Sequence, residues 1–303
     1  MAVPEGRTFF HCGRDITAED VEYVKDLVKT YRRLCPSELA DTLCEHWGWV
    51  TASGANRRQA SLKLLERLEH EGQIALPALR GWTPRKPKTD IALTESSTPG
   101  EDVVGPLSEV VPVTLAQVTG KAQLGLWKEY VERYHYLGYA KPIGFVLHYF
   151  IESRRGRLGC LLMGGASKSV AVRDEWIGWS HKQRMRNLPW VLNNQRMLIF
   201  PWVKVPHLAS HVLGQLARRV GDDVERRWGF RPVLLETYVD PERFPGTCYQ
   251  AAGWVRLGMS AGTGRPRRGQ IYTTSPKILY VKPLVRDFKQ QLCSEQLQGR
   301  VIE

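Results

Sequence analysis

A proline-rich stretch without aromatic residues divides the chain and limits how it can fold. Residues 83–112 hold five prolines among Thr, Ser, Gly and charged residues. Such a segment buries too little apolar surface to fold by itself. We therefore predict a linker over residues 83–112, between a small domain of residues 1–82 and a larger domain of residues 113–303.

The sequence lacks the signals of a secreted or membrane protein. No apolar run reaches the ~18–20 residues that span a bilayer, and residues 1–15 have no apolar core of the signal-peptide type. The six cysteines are scattered and none forms a Cys-x-x-Cys pair, so zinc ribbons and thioredoxin-like motifs are not indicated. We expect a cytoplasmic protein with reduced thiols and no membrane partner.

The charge of the chain favours DNA as a partner. There are 43 Lys and Arg residues against 31 Asp and Glu, a formal net charge of +12. Residues 153–204 hold ten basic and two acidic residues, and residues 254–289 hold eight and one. Both stretches also carry Trp or Tyr, a combination that suits unpaired bases. DNA is the expected partner, single- or double-stranded, and a generally basic surface is the alternative.

The first domain has a pattern of three short helices. Thr17 is a good N-cap for the first helix, and the third runs over residues 56–72. Residues 73–76 then alternate like a strand, so we predict a winged-helix-like domain whose third helix enters the major groove. The candidate DNA-binding residues at its start are Asn56, Arg57 and Arg58. A helical packing module with a solvated basic face is the alternative.

The second domain alternates strands and helices. The pattern predicts a mixed sheet in one large α/β (α+β) domain. Predicted strands cover residues 144–153, 159–167, 194–204, 231–240, 255–259 and 278–282, and predicted helices cover residues 122–134, 208–228 and 246–253.

Two acidic residues on one predicted strand are candidate catalytic groups and metal ligands. Glu236 follows a buried-type Val-Leu-Leu run, where a carboxylate is costly unless it is paired or functional. Asp240 would lie about 13 Å further along the strand, too far to share a metal such as Mg²⁺ unless Pro241 bends the chain. An ion pair with a neighbouring Arg is the alternative for Glu236, and a turn-capping role is the alternative for Asp240.

An aromatic helix end is a second candidate site. Residues 134–139 read YHYLGY, and Gly138 is typical of a helix stop. Tyr136 beside His135 could act as nucleophile or general acid. Packing of the aromatic residues on the sheet is the alternative.

Further basic and amide residues are candidates for contacts with DNA. We predict that residues 174–180 form a loop whose two tryptophans are a binding platform, and that a flexible loop over residues 262–269 contacts phosphates. The candidates in and after these loops are Arg184, Arg186, Asn194, Arg265, Arg267 and Arg268.

Several short sequence motifs resemble those of known families. The order of a strand, a loop, a long helix, a strand and a short helix ending in YQAAGW (residues 249–254) resembles an N-acetyltransferase (GNAT-like) core. In that superfamily the position of Tyr249 commonly supplies the general acid. YHYLGY, RDEWIGWS (173–180), PHLASHVL (206–213) and LETYVDPERF (235–244) resemble the DruA family of the Druantia anti-phage system, also found on transposable elements.

The resemblance implies a DNA-directed role in phage defence or in a mobile element, with companion proteins from such a system, and leaves the reaction open. The loop before residue 208 has no glycine, and Pro206 removes a backbone donor, so acetyl-CoA is a doubtful cofactor. We predict a DNA-binding protein of a defence or mobile-element system. The alternatives are a metal-dependent nuclease or nickase and a transferase that modifies nucleic acid.

Overall fold

The computed structural model describes residues 9–31, 34–51, 54–77, 91–142, 144–262 and 275–295. The chain forms two compact units, residues 1–89 and 90–303. Each unit has its own core.

The first unit is a short antiparallel hairpin followed by three helices. Thr17 begins the first helix with a capping box, because its side chain accepts a hydrogen bond from the Asp20 N–H while the Asp20 carboxylate accepts one from the Thr17 N–H. Buried leucines such as Leu39 and Leu64 join the helices in one apolar core. The elements are β1 (Phe9–His11), β2 (Arg14–Ile16), α1 (Ala18–Thr30), α2 (Pro36–His46) and α3 (Arg58–His70).

The hairpin of the first unit precedes its helices. Helix α3 lies within the predicted range of residues 56–72, but residues 73–76 form no strand. The alternation there reflects half-buried contacts of Ile74 and Leu76 with the helical core. The winged-helix assignment therefore stays a prediction.

The second unit is built on one large mixed sheet. Seven strands of the described residues pair in the order β10-β11-β9-β7-β6-β5-β4, which confirms the predicted mixed α/β fold class. The strands of the second unit are β3 (Val103–Val104), β4 (Thr114–Gln117), β5 (Leu147–Ser153), β6 (Gly156–Gly165), β7 (Val191–Ile199), β8 (Val203–Lys204), β9 (Leu234–Val239), β10 (Val255–Met259) and β11 (Ile278–Pro283). Strands β3 and β8 pair with each other outside the large sheet. The helices of the second unit are α4 (Lys121–Tyr134), α5 (Ala171–Ile177), α6 (His181–Asn187), α7 (Leu208–Trp228), α8 (Thr247–Ala251) and α9 (Phe288–Leu292).

Helices α4 and α7 cover opposite faces of the sheet. Trp127 of α4 contacts the ring of His148, whereas Asp223 of α7 accepts a hydrogen bond from the hydroxyl of Tyr149 at 2.7 Å. Neighbouring residues of a strand point to opposite faces. The core therefore lies in two layers, one on each side of the sheet.

Residues 91–110 form a strap on the second unit, although the sequence predicted a linker there. Thr94 donates hydrogen bonds to Glu129 through its N–H and its hydroxyl, both at 2.8 Å. The hydroxyl of Tyr134 donates to the Ser97 carbonyl at 2.9 Å, and Val103 of β3 pairs with Val203 of β8. The strap is ordered because the rest of the unit supplies the partners that it lacks by itself.

Strands β7 and β9 separate partway along their length. They pair in parallel up to Asn193 opposite Glu236. Beyond that point β7 continues beside β6 to Ile199, and β9 continues beside β11 to Val239. The sheet therefore opens directly beyond this pair, where the next residues of both strands are polar.

None of the helices in the described part of the chain has the length and apolar character needed to cross a bilayer.

Candidate functional site

Two polar regions lie along β9, and we name them by their residues. The Arg173–Glu236 network consists of Arg173, Asp174, Arg184 and Glu236. The Tyr136 cluster consists of His135, Tyr136, Arg196, Asp240, Arg243, Phe244 and Lys277.

Glu236 is fully buried and both of its carboxylate oxygens are occupied. Oε2 accepts a hydrogen bond from Nη1 of Arg173 at 2.7 Å, and the two side chains are both 0% exposed. Oε1 accepts from the Ser167 N–H at 2.8 Å and from the Tyr238 hydroxyl at 3.3 Å. The carboxylate therefore holds the α5 region to the sheet, as the ion-pair alternative stated.

Asp174 joins two arginines to the same network. Its Oδ1 accepts from Nη2 of Arg173 at 2.8 Å and its Oδ2 from Nη1 of Arg184 at 2.8 Å. Burial opposes ionisation of Asp174, but the Arg173 charge and the hydrogen bonds outweigh it and hold the pKa of the carboxyl below its ordinary value. Arg184, a candidate for phosphate contact, thus already pairs with a carboxylate of the chain.

The prediction of a loop over residues 174–180 is wrong, and of its two tryptophans only Trp176 is partly exposed. Most of this segment lies in helix α5, which ends at Gly178 in the left-handed region, φ 85°. Trp179 is buried, and its Nε1 donates to Oδ1 of Asp174 at 3.1 Å. Trp176 stacks on Phe288 instead. Arg186 donates to the Glu295 carbonyl at 3.2 Å, so it too has a partner within the chain.

Asp240 ends strand β9 by capping a turn. Its Oδ1 accepts from the Glu242 N–H at 3.1 Å, and its carbonyl accepts from the Phe244 N–H at 2.9 Å. Glu236 and Asp240 contact separate sets of residues. The described residues hold no group of three side chains able to ligate a metal ion, and the occupied oxygens of Glu236 do not fit a Mg²⁺ site.

The turn after Asp240 brings two side chains to the aromatic end of α4. The Tyr136 ring stacks on His135 at a centroid distance of 4.9 Å and meets Phe244 edge-on at 5.5 Å. The Arg243 guanidinium lies 5.1 Å from the centroid of the same ring, and Nζ of Lys277 lies 5.9 Å from it. Tyr136 is 37% exposed and Phe244 is 48% exposed, so a ligand can reach both rings.

Arg196 fixes the backbone that carries this aromatic end. Its Nε donates to the Gly138 carbonyl at 3.1 Å, and its Nη1 donates to the Gln195 carbonyl at 2.8 Å. Gly138 has a φ of 56°, which suits a glycine after a helix end. The Leu137 N–H donates to Nδ1 of His135 at 3.2 Å, which sets the direction of the imidazole.

The two ionisable rings of the cluster, those of His135 and Tyr136, are held in their neutral forms. Burial, with the nearby charges of Arg196 and Lys277, lowers the pKa of His135 to about 4. Because Nδ1 accepts a hydrogen bond, we assign the proton of the neutral ring to Nε2. Burial and the charge of Asp240 raise the pKa of the Tyr136 phenol, although Arg196 and Arg243 oppose this. A phenol with a raised pKa is a poor nucleophile, so the cluster suits binding better than covalent catalysis.

Tyr249 and Asn194 lie inside the protein rather than at the candidate site surface. The Tyr249 hydroxyl donates to Oδ1 of Asn194 at 2.9 Å, and burial raises the pKa of that phenol. Nδ2 of Asn194 donates to the carbonyls of Leu162 and Arg196 at 3.2 and 3.0 Å. With its amide bonded inside the sheet, Asn194 has no group left to read a base.

Two of the three candidate DNA contacts of the first unit, Asn56 and Arg58, have partners within the chain. Nε of Arg58 donates to Oδ1 of Asp41 at 2.8 Å, and Nδ2 of Asn56 donates to the same atom at 3.4 Å. Arg57 is half-buried, and burial lowers the pKa of its guanidinium. The other three candidates, Arg265, Arg267 and Arg268, lie outside the described residues.

Four members of the Tyr136 cluster were not singled out as site residues from the sequence. Arg243 and Phe244 stand in the LETYVDPERF word, directly after the turn that Asp240 was expected to cap. That turn is the signal that could have found them. Arg196 and Lys277 have no local signal, since only the folded sheet brings their strands beside the end of α4.

These observations define a mixed α/β protein whose central sheet opens beside an exposed, cation-flanked aromatic cluster. The model of the family described as Druantia protein DruA matches residues 69–277. The chain belongs to this family, and the family is that of an anti-phage system. Among curated proteins, none matches the sequence.

The chain also has similarities to solved structures. A crystal structure of aminoglycoside acetyltransferase AAC(6')-Ib with coenzyme A and kanamycin is 18% identical, with 59% of this chain and 97% of that chain covered and a TM-score of 0.39. FeeM, an N-acyl amino acid synthase from uncultured soil microbes, is 10% identical, with 57% and 90% covered and a TM-score of 0.34. At these TM-scores the likeness carries no conclusion about this chain.

Backbone carbonyls at the opening of the sheet accept hydrogen bonds from neighbouring side chains. The Thr237 hydroxyl donates to the Asn194 carbonyl at 3.0 Å, and side chains of this same region occupy the carbonyls of Gln195 and Arg196. The loop before α7 offers no glycine, and Pro206 has no N–H to donate to a phosphate.

Proposed function

We propose that the protein binds DNA as a component of an anti-phage defence system, and that the Tyr136 cluster is a contact surface for the DNA. The observation that carries the proposal is the arrangement of Arg243 and Lys277 over an exposed aromatic ring. Cations that neutralise phosphates supply most of the affinity of a protein for DNA, and exposed rings add stacking with bases.

The charge balance of the cluster supports this proposal. Arg243 is 59% exposed, and its Nε lies 4.0 Å from Oδ2 of Asp240, a distance at the limit of an ion pair. Other arginines, such as Arg173 and Arg58, are bound closely to carboxylates. A net charge of +12 for the chain favours association with a polyanion in general. In the cluster, the positive charge of Arg243 has no close carboxylate and is available to such a polyanion.

The test measures how DNA affinity depends on salt. The full chain and the double variant Arg243→Ala/Lys277→Ala are titrated against fluorescently labelled single-stranded and duplex DNA, and anisotropy is read between about 50 and 200 mM salt. We expect the wild type to bind both with steep salt dependence. In the variant, the slope of log K against log salt should become shallower by about 1.5, because two phosphate contacts are lost.

A matched control removes the same charge elsewhere on the second unit. Lys121 and Arg218 are exposed helical residues outside the cluster, and the variant Lys121→Ala/Arg218→Ala should keep the wild-type slope. Equal slopes for the wild type and the Arg243→Ala/Lys277→Ala variant would show that the cluster does not contact DNA. Absence of binding by the wild type would reject the proposed function as a whole.

A further inference from the structure

We infer that the Tyr136 cluster holds one unpaired nucleotide, with its base stacked on the ring of Tyr136 and bordered by Phe244, and with its phosphate paired with Arg196. This inference rests on the proposed function and specifies which form of DNA the site takes. Two independent observations carry it, the accessibility of the two rings and the unpaired charge of Arg196.

The first observation is the pair of exposed rings. Tyr136 is supported by the stacked His135 ring, and Phe244 meets Tyr136 at an interplanar angle of 60°. The two rings therefore form a corner, with Arg243 over the Tyr136 ring. The Arg243 side chain is mostly exposed, so a base can take its place on the ring while the guanidinium turns to a phosphate.

Stacking of this kind selects an unpaired base. In a duplex the two faces of each base are covered by its neighbours, and only the edges are open in the grooves. A base in a single strand, or one turned out of a duplex, presents a free face to an aromatic ring. The corner formed by Tyr136 and Phe244 suits a face and offers little to a base edge.

The second observation is a half-buried guanidinium without a carboxylate. The hydrogen bonds of Arg196 go to the carbonyls of Gly138 and Gln195, and within the described residues no acidic side chain pairs with it. Burial lowers the pKa of this guanidinium, and the nearby ionisable group that favours its charge is Tyr136. A buried charge is costly unless it is paired, and a phosphate beside Tyr136 would supply the missing partner.

His135 adds a neutral donor at the same place. Its Nδ1 accepts the Leu137 N–H, which leaves the Nε2–H free to donate to a phosphate or base oxygen. The imidazole lies close enough to Arg196 and Lys277 to feel both charges. One nucleotide therefore meets two rings, a neutral donor and at least one cation within the described residues.

The experiment compares DNA with and without bases. Two single strands of about 12 nucleotides are used, one of thymidines and one in which every base is absent, together with a duplex of equal length. We expect the wild type to bind the thymidine strand about tenfold more tightly than the abasic strand, since stacking of a base is worth about that factor. Tyr136→Leu should lose this difference, whereas Tyr136→Phe should keep it.

The controls separate this inference from the function on which it rests. Leu137→Ala, at an exposed neighbour, should behave as the wild type, and Phe244→Leu replaces Tyr136→Leu if that variant fails to fold. Equal loss of single-strand and duplex affinity in Tyr136→Leu, or no loss, would overturn the unpaired-nucleotide site while DNA binding stands. A wild type that binds none of the three DNAs would overturn the proposed function itself.

Discussion

The Arg173–Glu236 network and the Tyr136 cluster use charge in opposite ways along the same strand. In the network, two fully buried side chains form an ion pair at 2.7 Å, and the other oxygen of Glu236 accepts from two donors. In the cluster, Arg196 has carbonyl partners, and Arg243 stands at 4.0 Å from its nearest carboxylate oxygen. The first arrangement pairs its buried carboxylate with a buried cation, whereas the second holds cations without a close carboxylate.

This difference separates structural from binding residues better than the residue types do. Glu236 is a residue type common in catalytic sites, but both of its carboxylate oxygens already accept hydrogen bonds from donors within the chain. Tyr136 and Phe244 are residue types common in protein cores, yet both are exposed, and two cations lie beside the Tyr136 ring. Whether the hydrogen-bonding and charge requirements of a group are met inside the chain is the more informative property.

The largest effect is expected from opening the network. Arg173→Met leaves Glu236 buried without its cation, and we expect the free energy of unfolding to fall by about 3–5 kcal/mol. Urea denaturation followed by fluorescence measures this change. The same substitution in the cluster, Arg243→Met, should change the free energy of unfolding by less than about 0.5 kcal/mol. Similar losses in both variants would remove the distinction between the two regions.

The two regions should also respond to acid in different pH ranges. His135 has a folded pKa of about 4 against an ordinary value of about 6.5, so between these values the unfolded chain binds more protons. Stability therefore falls as the pH is lowered from about 6.5 to about 4 and is regained as the pH rises. Asp174 has a lowered pKa, so its contribution is lost only below its ordinary value of about 3.8.

The measurement is the pH dependence of the unfolding free energy for the wild type and His135→Gln. We expect the wild type to lose about 2 kcal/mol more than the variant between pH 6.5 and pH 4. His148 has a similarly lowered pKa, so His148→Gln is a matched variant outside the cluster. Parallel curves for the wild type and His135→Gln would show that burial and the nearby cations do not lower the pKa of His135 in the folded protein.

A smaller effect than that of His135 is expected at Tyr249, which the sequence placed in the catalytic site and the structure places in the interior. Tyr249→Phe removes the hydrogen bond to Asn194, and the free energy of unfolding should fall by about 1 kcal/mol. Thermal denaturation measures the loss, and DNA affinity should stay at the wild-type value. A variant of unchanged stability and lost DNA affinity would instead return Tyr249 to the binding site.

Much of the second unit follows from local sequence. Helix α7 covers residues 208–228 as predicted, because Pro206 precedes it, Gly229 follows it and its apolar residues repeat with helical spacing. Strand β10 was predicted at residues 255–259, where the structure has it. Short elements held by distant partners were missed. The strap has too few apolar residues to signal itself, and α5 is a seven-residue helix stabilised by Asp174 and its arginines.

The candidate site was only half visible in the sequence. His135, Tyr136 and Asp240 were selected from their local words, and they do lie together. Glu236 stood out equally, because a carboxylate in a buried strand signals both function and an ion pair. The distinguishing fact is the position of Arg173, which stands 63 residues earlier in the chain. Only the folded sheet brings that side chain under the strand.

The strap has a consequence for the order in which the second unit is completed. Val103 and its strand partner Val203 are 100 residues apart, and at about 5–20 residues per second of synthesis the second emerges about 5–20 s after the first. Glu129, which holds Thr94, emerges much sooner. During synthesis the strap is therefore held by α4 at Thr94, while Val103 stays unpaired until β8 has been made. A polypeptide that ended before residue 203 would leave β3 with an open backbone edge.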